Sequence, residues 1–273
     1  IVLFDLYFCL FYGYLEQIAL IISSAPANVG ITVVNPPDYV IYDNGTKQSN
    51  TSSSKTAFRV ANSRDNRSQN PVYYEWTYMY TLINQCNQLL SLLDGVSYTG
   101  DAATKKNTLK AWAYWWKGYG YAKIGSLYYA GLINDEAGVK NNLFKTHDEI
   151  IIESNNNLDK AATILAGITT AAEYSAVLRQ LIPAFCQSGN GGVLTTQMWI
   201  RNINSLKARN FLVNKSAKTM TTTDWNSVLT LANAGIQKSD FVFTGKTTTQ
   251  NGFFTAAAGS PAAQTTGDPG SST

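Results

Sequence analysis

Apolar residues recur at steps of three and four along most of this chain, and that period defines its elements. Met79, Ile83, Cys86, Leu90 and Leu93 form one series, closed by Gly95, a residue type that commonly ends a helix. The next stretch, Leu109 to Gly131, reads LKAWAYWWKGYGYAKIGSLYYAG. Leu109, Ala113, Trp116, Gly120, Ile124 and Leu127 make one apolar stripe in it, and Trp112, Trp115, Tyr119 and Ala122 widen that stripe to most of the circumference. A narrow ridge of Lys110, Tyr114, Lys117 and Tyr121 remains. A helix apolar nearly all round is buried between neighbours. Gly118, Gly120 and Gly125 each cost roughly 1 kcal/mol of helix propensity relative to alanine, a cost that close approach by another helix offsets. Trp116 and Gly120 are therefore assigned to a helix–helix seam, and the tryptophans to the core rather than to a ligand platform.

Further helices follow. Thr146 and Glu149 have the spacing of a capping box, opening a helix that carries Ile151, Leu158, Ala162 and Leu165 inward and stops near Gly167. Glu173 to Phe185 continues the pattern, with Pro183 ending or kinking it. After the flexible SGNGG, one helix has Trp199, Ile203, Leu206 and Val213 on one side, and another carries Trp225, Val228, Leu229, Ala232 and Ile236. A first helix is predicted near Leu15 to Ser23. Between it and the Met79 series, residues 24–71 show no period; long stretches of that kind are functional or disordered. With no convincing series of strands, the pattern predicts a single all-α domain of stacked helical hairpins with long irregular loops.

Composition narrows the function classes. A net charge of +3 over 273 residues gives no case for nucleic acid or an anionic membrane as partner. Cys9, Cys86 and Cys186 lack metal-ligand spacing and His147 is the only histidine, so neither a zinc site, a Cys/His catalytic pair nor any cofactor is expected. Asp5 and Glu16 interrupt the apolar N-terminal run, short of the roughly 20 residues needed to span a bilayer. The sequons at Asn44, Asn50, Asn66 and Asn214 are expected by chance in a chain this rich in Asn, Ser and Thr. The missing initiator Met and the polar stretch AAAGSPAAQTTGDPGSST suggest part of a longer protein.

YEWTYMYTLINQCNQLLSLLDG followed by LKAWAYWWKGYGYAKIGSLYYAG resembles the paired signature of the SusD/RagB family of outer-membrane nutrient-binding lipoproteins of Bacteroidetes. The family's Ile-Asn-x-x-Asn segment corresponds to Ile83, Asn84 and Asn87, and its next helix to Ala111 through Gly118 and on to Tyr121 and Tyr128. Leu206, Ala208 and Arg209 are similar to its Leu-x-Ala-Arg helix, and DWNSVLTLANAGIQKSDFVF to the helix and exit that follow. Trp112 stands where the family usually has an acid, and Lys117 where it has arginine. The matching segments keep the family's order from about residue 14 to 250. The resemblance implies a tetratricopeptide-like scaffold, lipid-anchored at the cell surface, whose loops bind oligosaccharide or peptide for a SusC-like TonB-dependent transporter. It also implies that the C-terminal half of the family's length is absent.

The candidate ligand face lies in the aperiodic region. Tyr39 and Tyr42 offer stacking faces beside Asp43 and Asn44; Arg59, Arg64 and Asn70 add planar polar groups, and Tyr73 a further ring. Sugars are held by that combination, an aromatic ring for the C–H face and amide, carboxylate or guanidinium groups for the hydroxyls. Asp38, Asp43, Asp65 and Glu75 include no spacing that imposes a glycosidase pair, so an enzyme is not expected. The alternative is a helical-repeat adaptor that grips a protein partner.

Overall fold

The computed structural model describes residues 33–34, 39–43, 46–48, 71–182 and 191–243, with side chains from Trp76 onward. The chain divides into two compact units, Ile1–Tyr78 with Lys246–Thr273, and Met79–Gly245.

In the first unit, β1 (Val33–Val34), β2 (Tyr39–Asp43) and β3 (Thr46–Gln48) form an antiparallel sheet in that order. Val34 pairs with Tyr39, and Tyr42 with Lys47. The expectation that residues 24–71 are wholly irregular is therefore corrected. The physical reason is local: Tyr39-Val40-Ile41-Tyr42 is a β-branched and aromatic run, and Asn44-Gly45 joins β2 to β3 in two residues. Asn-Gly between such runs is a strong hairpin signal, because both residues accept the positive φ that a two-residue turn needs. The helix expected at Leu15 to Ser23 lies outside the described residues.

The described residues contain six α-helices: α1 (Pro71–Leu92), α2 (Ala102–Leu127), α3 (His147–Ala166), α4 (Ala171–Leu181), α5 (Thr196–Asn214) and α6 (Thr222–Asn233). A two-stranded antiparallel ribbon, β4 (Ala130–Leu132) with β5 (Phe144–Thr146), joins α2 to α3. The fold is all-α in class. Short polar side chains start α2, α3, α5 and α6 by accepting orphan backbone N–H groups. Asp101 caps α2 through Thr104 N at 3.0 Å. The Thr146–Glu149 box opens α3 as expected, and a second box, Thr221 with Asp224, opens α6. α4 stops at Leu181, before Pro183 rather than at Phe185, since a residue preceding proline is pushed out of the helical region.

α2 lies between α1 and α3, and its glycines face both ways. A Cβ at Gly118 would come within 2.7 Å of Leu158 Cγ, and one at Gly125 within 2.7 Å of Ile151 Cδ1, both on α3. At Gly120 it would meet Ile83 Cγ1 of α1 at 3.1 Å. The lost helix propensity is thus exchanged for backbone-to-side-chain contact on opposite faces. Gly120 lies in a seam as expected, while Trp116 is only half-buried. The ridge read as the polar edge of α2 is also corrected, since Lys117 and Tyr121 are buried. The segment after β4 covers that edge, bonding Tyr121 through Asn134 and pairing Asp135 with Lys117. Leu127, placed on the apolar stripe, is exposed at the helix end.

α5 packs on α3 and α2, and α6 chiefly on α5. Trp199 and Ile203 are fully buried, but Val213 is exposed. On α6, Val228 alone is buried, whereas Trp225 and Leu229 are exposed; Ile236, expected on this helix, lies beyond its end and is exposed too. The apolar stripe expected there exists; no described element covers most of it.

Candidate functional site

Of the residues expected to hold ligand, Tyr39, Tyr42 and Asp43 lie on β2, and Asn44, next in the chain, lies outside the described residues. The sheet thus gathers three of them on one strand. Tyr39 and Tyr42, three positions apart, occupy register positions of opposite parity, as Tyr39 pairs with Val34 and Tyr42 with Lys47. Tyr73 falls in the first turn of α1. Arg59, Arg64 and Asn70 lie outside the described residues.

The aromatic stretch of α2 builds a cluster with α5 and the chain after α6. Trp112 packs edge to face on Trp116 and Trp199, at centroid distances of 5.6 and 6.0 Å. Phe243 closes on Trp115 at 4.9 Å and on Trp199 at 5.4 Å. Trp115 Nε1 donates to Asn202 Oδ1 at 3.2 Å. With Trp112, Trp115 and Trp199 buried, these rings present edges to one another and no open face to a sugar.

That cluster is closed by a latch. Asp240 accepts from Arg201 Nε and Nη2, both at 2.6 Å, and from Gln237 N at 3.0 Å. The Arg201 guanidinium holds the Asp240 carboxyl below its ordinary range, and the carboxylate raises the guanidinium in turn. A bidentate fork of this kind fixes orientation as well as distance. It sets the direction in which the chain leaves α6 and so the position of Phe243.

Burial governs the thiol and phenols nearest the core. Burial pushes the Cys86 thiol up against the opposing pull of Lys117, leaving an unreactive protonated sulfur. Burial raises the Tyr80 phenol to about 12, although its hydrogen bond at Leu132 works in the other direction. Tyr121 and Tyr174 are raised by burial as well. His147 is half-exposed at the start of α3, 3.5 Å from Asp148. Among the described residues no group of three or more His, Cys, Asp or Glu side chains is arranged to hold a metal ion. No described helix is long and apolar enough to cross a membrane.

One polar junction escaped the sequence reading. Asn84 and Asn87 of α1, Lys117 and Tyr121 of α2 and residues 134–138 converge beside β4. The available signal was the pair of asparagines one turn apart on an otherwise apolar helix, a placement that asks for buried partners. No family model, curated protein or solved structure matches this chain.

Proposed function

We propose that this chain is a non-catalytic binding protein, lipid-anchored at the bacterial outer-membrane surface, that captures oligosaccharide or peptide. It delivers that ligand to a SusC-like TonB-dependent transporter. The observation carrying this reading is the order of the SusD/RagB-like segments. They fall on α1, α2, α5 and α6 of an all-α unit, with the aromatic, glycine-bearing α2 in the middle. A tetratricopeptide-like pairing of these helices belongs to the same proposal. The ligand face is the β2–β3 hairpin with Tyr39, Tyr42, Asp43 and Asn44, joined by Arg59, Arg64, Asn70 and Tyr73.

Isothermal titration of the full chain against glycan and peptide panels tests it, with saturable binding of one class expected. Each stacking or hydrogen-bonding contact at a partly exposed face contributes about 1 kcal/mol. The Tyr42→Ala, Arg64→Ala double variant should therefore bind at least several-fold more weakly without unfolding. Parental affinity in that variant would move the site elsewhere, and turnover of a glycan by the pure protein would overturn the function. The exposed Trp225, Leu229 and Ile236 favour a second reading, a helical adaptor docking a protein partner. Pull-down from native outer membranes separates the two. A soluble cytoplasmic partner recovered without a TonB-dependent transporter would support the adaptor.

A further inference from the structure

The segment after β4 is held from two helices. Asn84 Oδ1 of α1 accepts from Gly138 N at 3.0 Å, and Asn87 Nδ2 donates to Asn134 O at 2.9 Å. Tyr121 Oη of α2 donates to Asn134 O and accepts from Asn134 N, both at 2.9 Å. Lys117, one turn earlier on α2, donates to Asp135 Oδ1 at 3.3 Å. The Lys117 side chain is only 3% exposed, whereas that of Asp135 is 61% exposed. An ammonium has three N–H donors. Two of them therefore lack a protein acceptor in a place closed to bulk solvent.

The same junction holds acceptors with the complementary deficit. Oδ1 of Asn87 and Oδ1 of Asn134 are buried and accept no hydrogen bond from the protein. A third is supplied by α3. Lys160 Nζ lies 5.5 Å from the Tyr114 ring centroid. Further along α2, Gly118 abuts Ser154 and Leu158, and Gly125 abuts His147 and Ile151. Moving forward on α2 thus moves backward on α3. Tyr114, three residues before Lys117, faces Lys160, three residues after Asn157, so this register sets Asn157 opposite Lys117. Asn157 is fully buried and its Oδ1 also accepts nothing, while its Nδ2 is engaged by Glu153. Flipping the Asn87 or Asn157 amide would break the bond its Nδ2 makes and leave an unpaired donor, so rotation does not resolve the deficit.

We infer that Lys117, Asn87, Asn134 and Asn157 form a buried hydration site. Two ordered waters link the ammonium to the three amide oxygens and pin residues 134–138 to the meeting point of α1, α2 and α3. The hydrogen-bond chemistry matches. Each water accepts one of the two remaining N–H groups and donates two protons toward amide oxygens, within the two to four polar partners that buried waters make. A metal cation does not fit, because the ammonium already occupies the centre with positive charge.

Water-selective NMR on the full chain tests the inference. Long-lived water cross-peaks are expected to the side-chain amide protons of Asn87, Asn134 and Asn157. Lys117→Met keeps the apolar stem and removes the donor. It should abolish those cross-peaks and speed hydrogen exchange at the Asn134 and Gly138 amides by at least about tenfold, as local opening becomes easier. Asp135→Asn, at an exposed position, should leave the cross-peaks in place. Absence of the cross-peaks from the parent overturns the proposal, as does a Lys117→Met variant that retains them with unchanged exchange. Should Lys117→Met fail to fold, the parent and Asp135→Asn spectra decide, and cross-peaks missing from both overturn it.

Discussion

α2 and α6 carry the same kind of apolar pattern and meet different fates. α2 is enclosed by α1, α3 and the segment after β4, and even Lys117 and Tyr121 of its edge are buried. α6 rests chiefly on α5 and leaves Trp225 and Leu229 exposed. A period of three and four residues says that a helix has an apolar side; it does not say how many neighbours cover it. For α2 the glycines were the additional sign, because they are tolerated in a long helix only where a neighbour comes close. α6 has no glycine between Thr222 and Asn233, and no described neighbour approaches it as α1 and α3 approach α2.

The sharpest way to break this contrast is a pair of tryptophans. Trp199→Ala removes a fully buried ring from the cluster with Trp112 and Phe243 and should cost about 3–5 kcal/mol in denaturant unfolding. Equal cost at the half-exposed Trp225 would show that α6 is as well covered as α2, which would end the comparison.

A smaller effect tests the seam. Gly118→Ala should destabilise by about 1–3 kcal/mol despite alanine's better helix propensity, because the added methyl overlaps Leu158. Gly95→Ala, whose nearest neighbour would be Leu92 O at 3.7 Å, should stay within about 0.5 kcal/mol of the parent. Thermal melts of the two variants side by side measure the difference that packing makes to one residue type.

With little burial to hold it, α6 leans on its N-terminal box. Asp224 accepts from Lys215 Nζ at 2.6 Å, Thr221 N at 2.7 Å and Thr221 Oγ1 at 2.8 Å. Lys215 first, and the Thr221 groups with it, lower the Asp224 carboxyl from its ordinary 3.8 to about 2. A lowered folded-state value means that this contribution is complete above the ordinary carboxylate range and fades as pH falls through about 2. An NMR titration of Asp224 should find its midpoint near the lower value. Asp224→Asn should flatten the dependence of stability on pH across that window, and an unshifted midpoint would detach α6 from its cap. Thr221→Ala should cost about 1 kcal/mol by the same route.

The smallest expected effect belongs to the open face. Leu229→Gln, at a residue 58% exposed, should change stability by no more than about 0.5 kcal/mol. A larger loss would mean that the chain itself covers this side of α6.

Helix order, helix type and the two boxes at Thr146 and Thr221 were legible in the residues, because capping and periodicity are local. The Thr146 box has the usual Glu149 three residues on, whereas the Thr221 box is built with Asp224, a shorter acid that the common motif does not include. The β2–β3 hairpin has a local signal too, in Asn44-Gly45 after the β-branched and aromatic run Tyr39 to Tyr42. Of the candidate ligand face, residue types could be named from chemistry alone, and β2 then brought Tyr39, Tyr42 and Asp43 onto one strand. Local sequence determined that α2 would be a glycine-bearing, aromatic helix suited to enclosure. Which of its edges closed was decided by residues distant in the chain: Asn84 and Asn87 reaching the 134–138 segment, and that segment reaching Lys117 and Tyr121. A lysine on a helix edge reads as solvent-facing because charge is costly to bury. Only the tertiary structure, by closing the segment after β4 over it and bringing the Asp135 carboxylate to it, placed that charge inside.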